Sequence, residues 1–222
     1  MVDAELTARL GDSLPGARIQ AQRLPDLQQL RLYLLNEDYP QQALSAEAIR
    51  YLMDNPLYWV FCWASGQVLA NLLLTQPGWV RGKRVLDFGC GSGVVAIAAA
   101  LAGADEVIAC DIDPDALAAT RSNAALNKVE LQLATDYREV EGPLDLIIVA
   151  DVLYDRSNLP WLTRFADRAD QVLVADSRIR DFRLPPYRRI GGQSASTLPD
   201  LDESAEFREV NLYLAGPQIG SS

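Results

Sequence analysis

Between Val85 and Asp113 the chain reads VLDFGCGSGVVAIAAALAGADEVIACDID. Asp87 is followed by glycine at every second position (Gly89, Gly91, Gly93), and Asp111 closes the next apolar run. Glycines let a ligand lie against bare backbone N–H groups. A carboxylate at the end of the following strand can accept two hydrogen bonds from the hydroxyls of a ribose. The chemistry these residue types offer is therefore recognition of a nucleoside-bearing ligand. Farther along, Asp136 and Asp151 also end or closely follow apolar runs. Random surface carboxylates would not favour strand ends, so four acids in this position suggest one rim lined for binding.

Two ligand classes fit the glycine stretch. Gly91-Ser92-Gly93-Val94-Val95-Ala96 satisfies the dinucleotide pattern G-x-G-x-x-G/A, with Asp111 twenty residues beyond Gly91. Asp-x-Gly-x-Gly-x-Gly, in turn, resembles motif I of the class I (seven-β-strand) S-adenosylmethionine-dependent methyltransferases. Asp111 serves either ligand, but Asp87 separates them. A carboxylate there would repel a pyrophosphate, whereas it favours an ammonium beside a sulfonium. The resemblance implies S-adenosylmethionine as cofactor, with an NAD oxidoreductase as the weaker alternative. It further implies Asp87 near the methionine end, Asp111 on the ribose, Ile112 on the adenine face and Asp136 accepting from the adenine amino group. The other reading of Asp136 is a turn or helix-cap acid.

The elements that must position these groups alternate. Lys83–Phe88, Glu106–Asp111, Val129–Ala134, Leu144–Asp151 and Gln171–Ala175 read as strands. Val94–Ala102, Pro114–Asn127 (proline in its first turn) and Leu159–Ala169 read as the helices between them. Tail strands are expected near Arg188–Ile190 and Glu209–Leu214. The run LDLIIVAD at Leu144–Asp151 is continuously apolar, as a strand covered on both faces should be. This order predicts an α/β fold: a Rossmann-like, doubly wound, mostly parallel seven-stranded sheet with helices on both faces. Ahead of it, a short amphipathic helix and a Pro-Gly turn are expected up to about residue 20. A strand around Leu27–Leu34 and helices at Ala46–Met53 and Trp63–Leu74 should follow. The whole, residues 1–222, reads as one domain, with 1–78 as an N-terminal cap and substrate-access extension and 79–222 as the cofactor-binding core.

Asp151-Val152-Leu153-Tyr154 resembles the Asp-x-x-Tyr signature of the seven-β-strand protein lysine methyltransferases. Pro56-Leu57-Tyr58-Trp59 and Trp63-Ala64-Ser65-Gly66-Gln67, followed by DFGCGSG, DIDP and DVLYD, look like the branch that methylates the electron-transfer flavoprotein β subunit and its bacterial relatives. The match runs from about Pro25 to Asp155. Where that branch has Pro-Tyr-Trp this chain has one extra residue, and the proline usual after Trp63 is alanine. The resemblance implies a protein substrate carrying a target lysine, such as the electron-transfer flavoprotein β subunit or a ribosomal protein. By the same token Trp63 and Gly66 border the cofactor, Asp151 binds and orients the acceptor nitrogen, and Tyr154, with Tyr58 or Trp59, lines a channel for the alkyl stem. The aromatic residues could equally be ordinary core. Two further readings stay open: methylation of a small nicotinamide-like amine, and a catalytically silent cofactor-binding module.

Composition narrows the rest. The 222 residues include 20 basic and 30 acidic side chains, giving a net charge of −10. That balance is unsuited to a phosphate backbone, whose binding is driven by basic patches, so no nucleic-acid partner is expected. Arg178, Arg180, Arg183, Arg188 and Arg189 cluster, but a solvated or acid-paired arginine face accounts for them. With no histidine, neither a Ser-His-Asp nor a Cys-His nucleophile can be assembled. Cys62, Cys90 and Cys110 lack a C-x-x-C pair, so no metal is expected. The amino-terminal residues show no apolar signal segment, and the longest apolar run, Val94–Ala104, is too short to span a bilayer. A cytoplasmic, monomeric protein without membrane contact is the resulting expectation.

Overall fold

A computed structural model describes residues 1–11, 14–39, 56–152, 158–179, 183–200 and 208–217. The parallel strands expected from the apolar runs form at β3 (Arg84–Phe88), β4 (Glu106–Cys110), β5 (Gln132–Ala134), β6 (Leu144–Ala150) and β7 (Ala169–Asp176). They are joined by β8 (Arg188–Ser194) and β9 (Glu209–Ala215) in one seven-stranded sheet of order β5-β4-β3-β6-β7-β9-β8. The five strands β5, β4, β3, β6 and β7 are parallel to one another. β9 runs antiparallel to both β7 and β8, between which it inserts. Strand order reverses between β3 and β6, and that crevice is where an open parallel sheet binds ligands.

The sheet is covered on both faces, as the unbroken apolar run of β6 anticipates. Leu146 and Ile148 belong to one core with α2 (Ala64–Thr75), α3 (Val94–Leu101) and part of α4 (Pro114–Asn127). Ile147 and Val149 point the other way, into a second core with Leu162 and Phe165 of α5 (Leu159–Arg168). These four β6 side chains are wholly buried, each worth about 1.5–3 kcal/mol relative to exposure. α3 is apolar all round because it is buried all round, from Val94 to Ala99. α4 begins as its sequence suggests: Asp113 accepts the Asp115 N–H at 2.8 Å and Pro114 occupies the first turn.

The amino-terminal part differs from expectation. α1 (Ala4–Arg9) is present, but Ile19–Leu24 forms a strand, β1, that begins where the helix and turn were expected to end and was not itself expected. It pairs antiparallel with β2 (Leu27–Leu35) in a separate hairpin. The hairpin is fastened to α4 by two asparagines four residues apart. Asn123 accepts the Tyr33 N–H at 2.6 Å, and Asn127 bonds both the N–H and the C=O of Arg31. The helix expected at Ala46–Met53 lies outside the described residues.

Candidate active site

β3 delivers Asp87, 1% exposed, to the start of the glycine loop. Its Oδ2 accepts the Ala96 N–H at 3.0 Å, in the first turn of α3. Gly93 holds that helix's N-cap position at φ +79° and has no side chain to offer, so Asp87 satisfies the orphan donor from outside the helix. Burial pushes the Asp87 carboxyl up to about 7; the Ala96 N–H opposes this, and the charge of Asp111 adds to it.

The loop itself is fixed on several sides. Gly89 and Cys90 donate to Cys110 O at 2.8 and 3.1 Å. Thr120 Oγ1 donates to Gly91 O at 3.1 Å, and Asn123 Nδ2 to Ser92 O at 2.8 Å. The second acid, Asp111, accepts the Gly91 N–H on one oxygen and the Asp113 N–H on the other, at 2.9 and 3.0 Å. Burial raises its pKa, with the two N–H groups opposing. Ile112, beside it, is 91% exposed. A large aliphatic side chain held in solvent on a cleft wall is a ready face for a flat apolar ring.

At the far side of the strand reversal, Asp151 follows β6 with φ +47°, a left-handed conformation uncommon outside glycine. Its Oδ1 accepts from Ser65 Oγ (2.7 Å), Ser177 Oγ (2.8 Å) and the Ser177 N–H (3.0 Å); its Oδ2 accepts the Ser65 N–H at 3.2 Å. Ser65 lies in the first turn of α2, whose N-cap Trp63 makes no side-chain cap bond. Trp63 instead donates Nε1 to Tyr58 O at 2.9 Å and meets the Tyr58 and Phe61 rings edge-on. Behind it, Gly66 approaches α3 so closely that a Cβ would lie 2.9 Å from Val94 Cγ1.

Trp63, Gly66, Asp87, Gly89, Gly91, Asp111, Ile112, Asp136 and Asp151 all line one cleft of about 1510 Å³. Gly93 does not line it; it stands behind the loop, where a Cβ would meet Thr120 at 2.8 Å. Tyr154 lies outside the described residues. Asp136 is on the wall, but both its oxygens take the Arg138 guanidinium (2.5 to 3.0 Å), and its Oδ1 also caps a short 3₁₀ turn. Arg138 holds the Asp136 carboxyl below its usual range.

Several wall residues had no place in the sequence reading. Phe88, Tyr137 and Trp161 line the cleft and pack with Phe165; the Phe88 and Phe165 ring centroids are 4.7 Å apart. Arg9 of α1 reaches Asp115 at 2.6 Å, which brings the amino-terminal segment to the cleft wall. Ser65, Ser177, Thr120 and Asn123 were likewise missed. The one local signal was a set of polar residues on the buried side of an alanine-rich helix, Thr120, Asn123 and Asn127.

The sheet order, with its single antiparallel strand next to the edge and acids at the parallel strand ends, is the class I (seven-β-strand) S-adenosylmethionine methyltransferase fold. Two solved structures share it. The ribosomal protein L11 methylase of Lactobacillus delbrueckii subsp. bulgaricus superposes with a TM-score of 0.52 at 24% identity, covering 69% of this chain and 79% of that one. The magnesium protoporphyrin IX methyltransferase of Synechocystis PCC 6803, solved with bound S-adenosylmethionine, gives 0.53 at 20%, covering 70% and 80%.

In sequence the chain is related to two branches. Residues 71–179 match the family of ribosomal protein L11 methyltransferase (PrmA). An electron transfer flavoprotein beta subunit lysine methyltransferase from Danio rerio is 42% identical over 156 residues, 63% of this chain and 60% of that protein. Its counterpart from Xenopus laevis is 39% identical over 140 residues, 60% and 57%. The L11 methyltransferase of Xanthomonas oryzae pv. oryzae is 38% identical over 125 residues, 53% and 39%. The chain thus spans less than two thirds of the length of these relatives.

Proposed function

We propose that this chain is an S-adenosylmethionine-dependent N-methyltransferase that methylates lysine side chains of a protein substrate. The observation that carries this reading is the order of the acids along one cleft: Asp111 at β4, Asp87 at β3 and Asp151 after β6, with strand order reversing between the last two.

The residues present fit the cofactor. A Cβ at Gly91 would meet nothing within 4 Å, so the loop leaves backbone open to a ligand on the cleft side. Asp111 suits the ribose hydroxyls and Ile112 the adenine face. Asp87 is a buried carboxylate awaiting a cation, which an ammonium and sulfonium supply. Adenine recognition by Asp136 requires Arg138 to share or yield its hold. The cleft exceeds the roughly 300–1,000 Å³ usual for a single ligand, which leaves room for an acceptor beside the cofactor.

The cofactor supplies an electrophilic methyl group on sulfur. A lysine amine arrives as an ammonium, with an ordinary pKa of about 10.4, and has no lone pair until its proton leaves. Desolvation in the cleft and a neighbouring sulfonium charge both lower that pKa. With the cofactor held there, the freed pair would take up its methyl group and leave the S–C pair on sulfur, and the proton would pass to water. Asp151 raises the amine's pKa, so its contribution is to bind and orient the nitrogen, and the rate gain is one of positioning. The likeness to the flavoprotein β-subunit and L11 methyltransferases supports a protein acceptor; those two proteins are the first substrates to try.

The test is labelled S-adenosylmethionine incubated with a cytosolic extract and with each of the two purified candidate proteins, comparing wild type with Asp151→Asn. Discrete labelled protein bands, much weaker in the variant, are the expected result. Label confined to small molecules would overturn the protein-acceptor reading, and cofactor binding without transfer would overturn the enzyme.

A further inference from the structure

We infer that Ser65 and Ser177 are positioning residues for the acceptor amine, acting through Asp151; the inference rests on the methyltransferase reading above. Asp151 is tied by its backbone first. Its N–H donates to Ala175 O at 3.0 Å, extending the β6–β7 ladder by one residue before the chain turns into the left-handed conformation. The carboxylate is then gripped from two elements, 86 residues away in the chain at Ser65 and 26 away at Ser177.

Each serine presents two donors, and they do different work. The N–H of Ser65 needs an acceptor as an orphan of the first turn of α2, and Asp151 Oδ2 provides it. That bond caps the helix and would persist with any residue but proline at position 65. The hydroxyls are additional. Both converge on Oδ1, which together with the Ser177 N–H carries three donors. A carboxylate has about four acceptor positions, two on each oxygen, so Oδ1 is saturated, and Oδ2, with one partner among the described residues, keeps a position for a substrate N–H. Ser65 is wholly buried and Ser177 is 7% exposed, so water competes little for either hydroxyl. The pair therefore fixes the rotation of the carboxylate and selects the oxygen that meets the acceptor. Misplacing a reacting group by about 1 Å costs on the order of a hundredfold in rate, and loss of one hydroxyl leaves the carboxylate partly free to rotate.

The test is steady-state transfer from labelled S-adenosylmethionine to the protein band that the wild type labels, with cofactor affinity by calorimetry and the unfolding midpoint measured alongside. Ser65→Ala and Ser177→Ala are each expected to lower kcat about tenfold, with the cofactor Kd and the protein KM within twofold. Ser177→Thr, which keeps the hydroxyl, should recover at least half of the rate. On an Asp151→Asn background the serine substitutions should cost less than twofold, because their effect travels through that carboxylate. An undiminished kcat in both alanine variants, or a full tenfold loss retained on the Asp151→Asn background, would overturn the inference alone. A wild type that binds cofactor and labels no protein would overturn the methyltransferase reading and the inference with it.

Discussion

The carboxylate of Asp87 caps the helix that begins beside it, accepting the Ala96 N–H at 3.0 Å where the N-cap residue is a glycine. That single bond stands against burial, and burial prevails, leaving the carboxyl near pH 7 in its titration. In the unfolded chain it titrates near ~3.9. Between those values the native protein holds a proton that the unfolded chain has released, so this group's contribution to stability falls as pH rises from about 4 to about 7 and is level above that. Denaturant titrations of ligand-free protein at pH 5 and pH 7.5 should show a loss of a few kcal/mol. The loss should shrink in Asp87→Asn.

The same carboxyl predicts proton release on cofactor binding. A cation placed beside Asp87 favours its ionised form, so binding near pH 6.5 should expel a substantial fraction of a proton. Calorimetry in buffers of different ionisation enthalpy reads this directly. Asp87→Asn should abolish the release and weaken binding about tenfold or more. An unchanged release in that variant would assign the proton to another group.

Two glycines of the loop should fail in different ways. At Gly93, φ is +79° and a Cβ would press on Thr120 at 2.8 Å, with the Thr120 Cα at 3.1 Å. Gly93→Ala should lose roughly 2–4 kcal/mol of stability, from strain and overpacking together. At Gly91, φ is +51° with open space around the Cβ, so Gly91→Ala should cost only about 1 kcal/mol yet lose most of its cofactor affinity. Unfolding midpoints and cofactor titrations of the two variants separate these effects.

Asn123 joins the glycine loop to the amino-terminal hairpin, giving a bond to Ser92 O and taking one from the Tyr33 N–H. It is wholly buried. Asn123→Ala leaves two backbone groups without their partner, a loss of roughly 2–4 kcal/mol. It should also speed amide exchange in both the hairpin and the loop. Exchange confined to the hairpin would show that the loop is held by its other bonds without Asn123.

The parallel strands and the acids at their ends were legible because each is written locally: an apolar run, then a carboxylate, with glycines following at Asp87. What stayed hidden depends on residues far apart in the chain. Nothing near Ser65 or Ser177 marks them as partners of Asp151. The pairing of Ile19–Leu24 with Leu27–Leu35 was missed because Gln20, Gln22 and Arg23 mask its apolar alternation, and because α4 supplies part of its support. Asp136 shows the reverse limit. Its strand-end position suggested a ligand contact, while Arg138, two residues on, occupies both of its oxygens.

The placement of β9 between β7 and β8 orders events in time. A chain leaving the ribosome has made Asp87, Asp111, Asp151 and Ser177 before β8 or β9 exists, so the strands β3 to β7 and the cleft above them are available to assemble early. Among the described residues β8 has only β9 as a neighbour in the sheet, and waits for residues 209–215. Until then the outer side of β7 is open, and the bridge between Cys62 and Leu198 joins a finished binding face to a segment whose own strand is not yet anchored. The bridge beside Trp63 therefore closes after the strands beneath the cleft have been made.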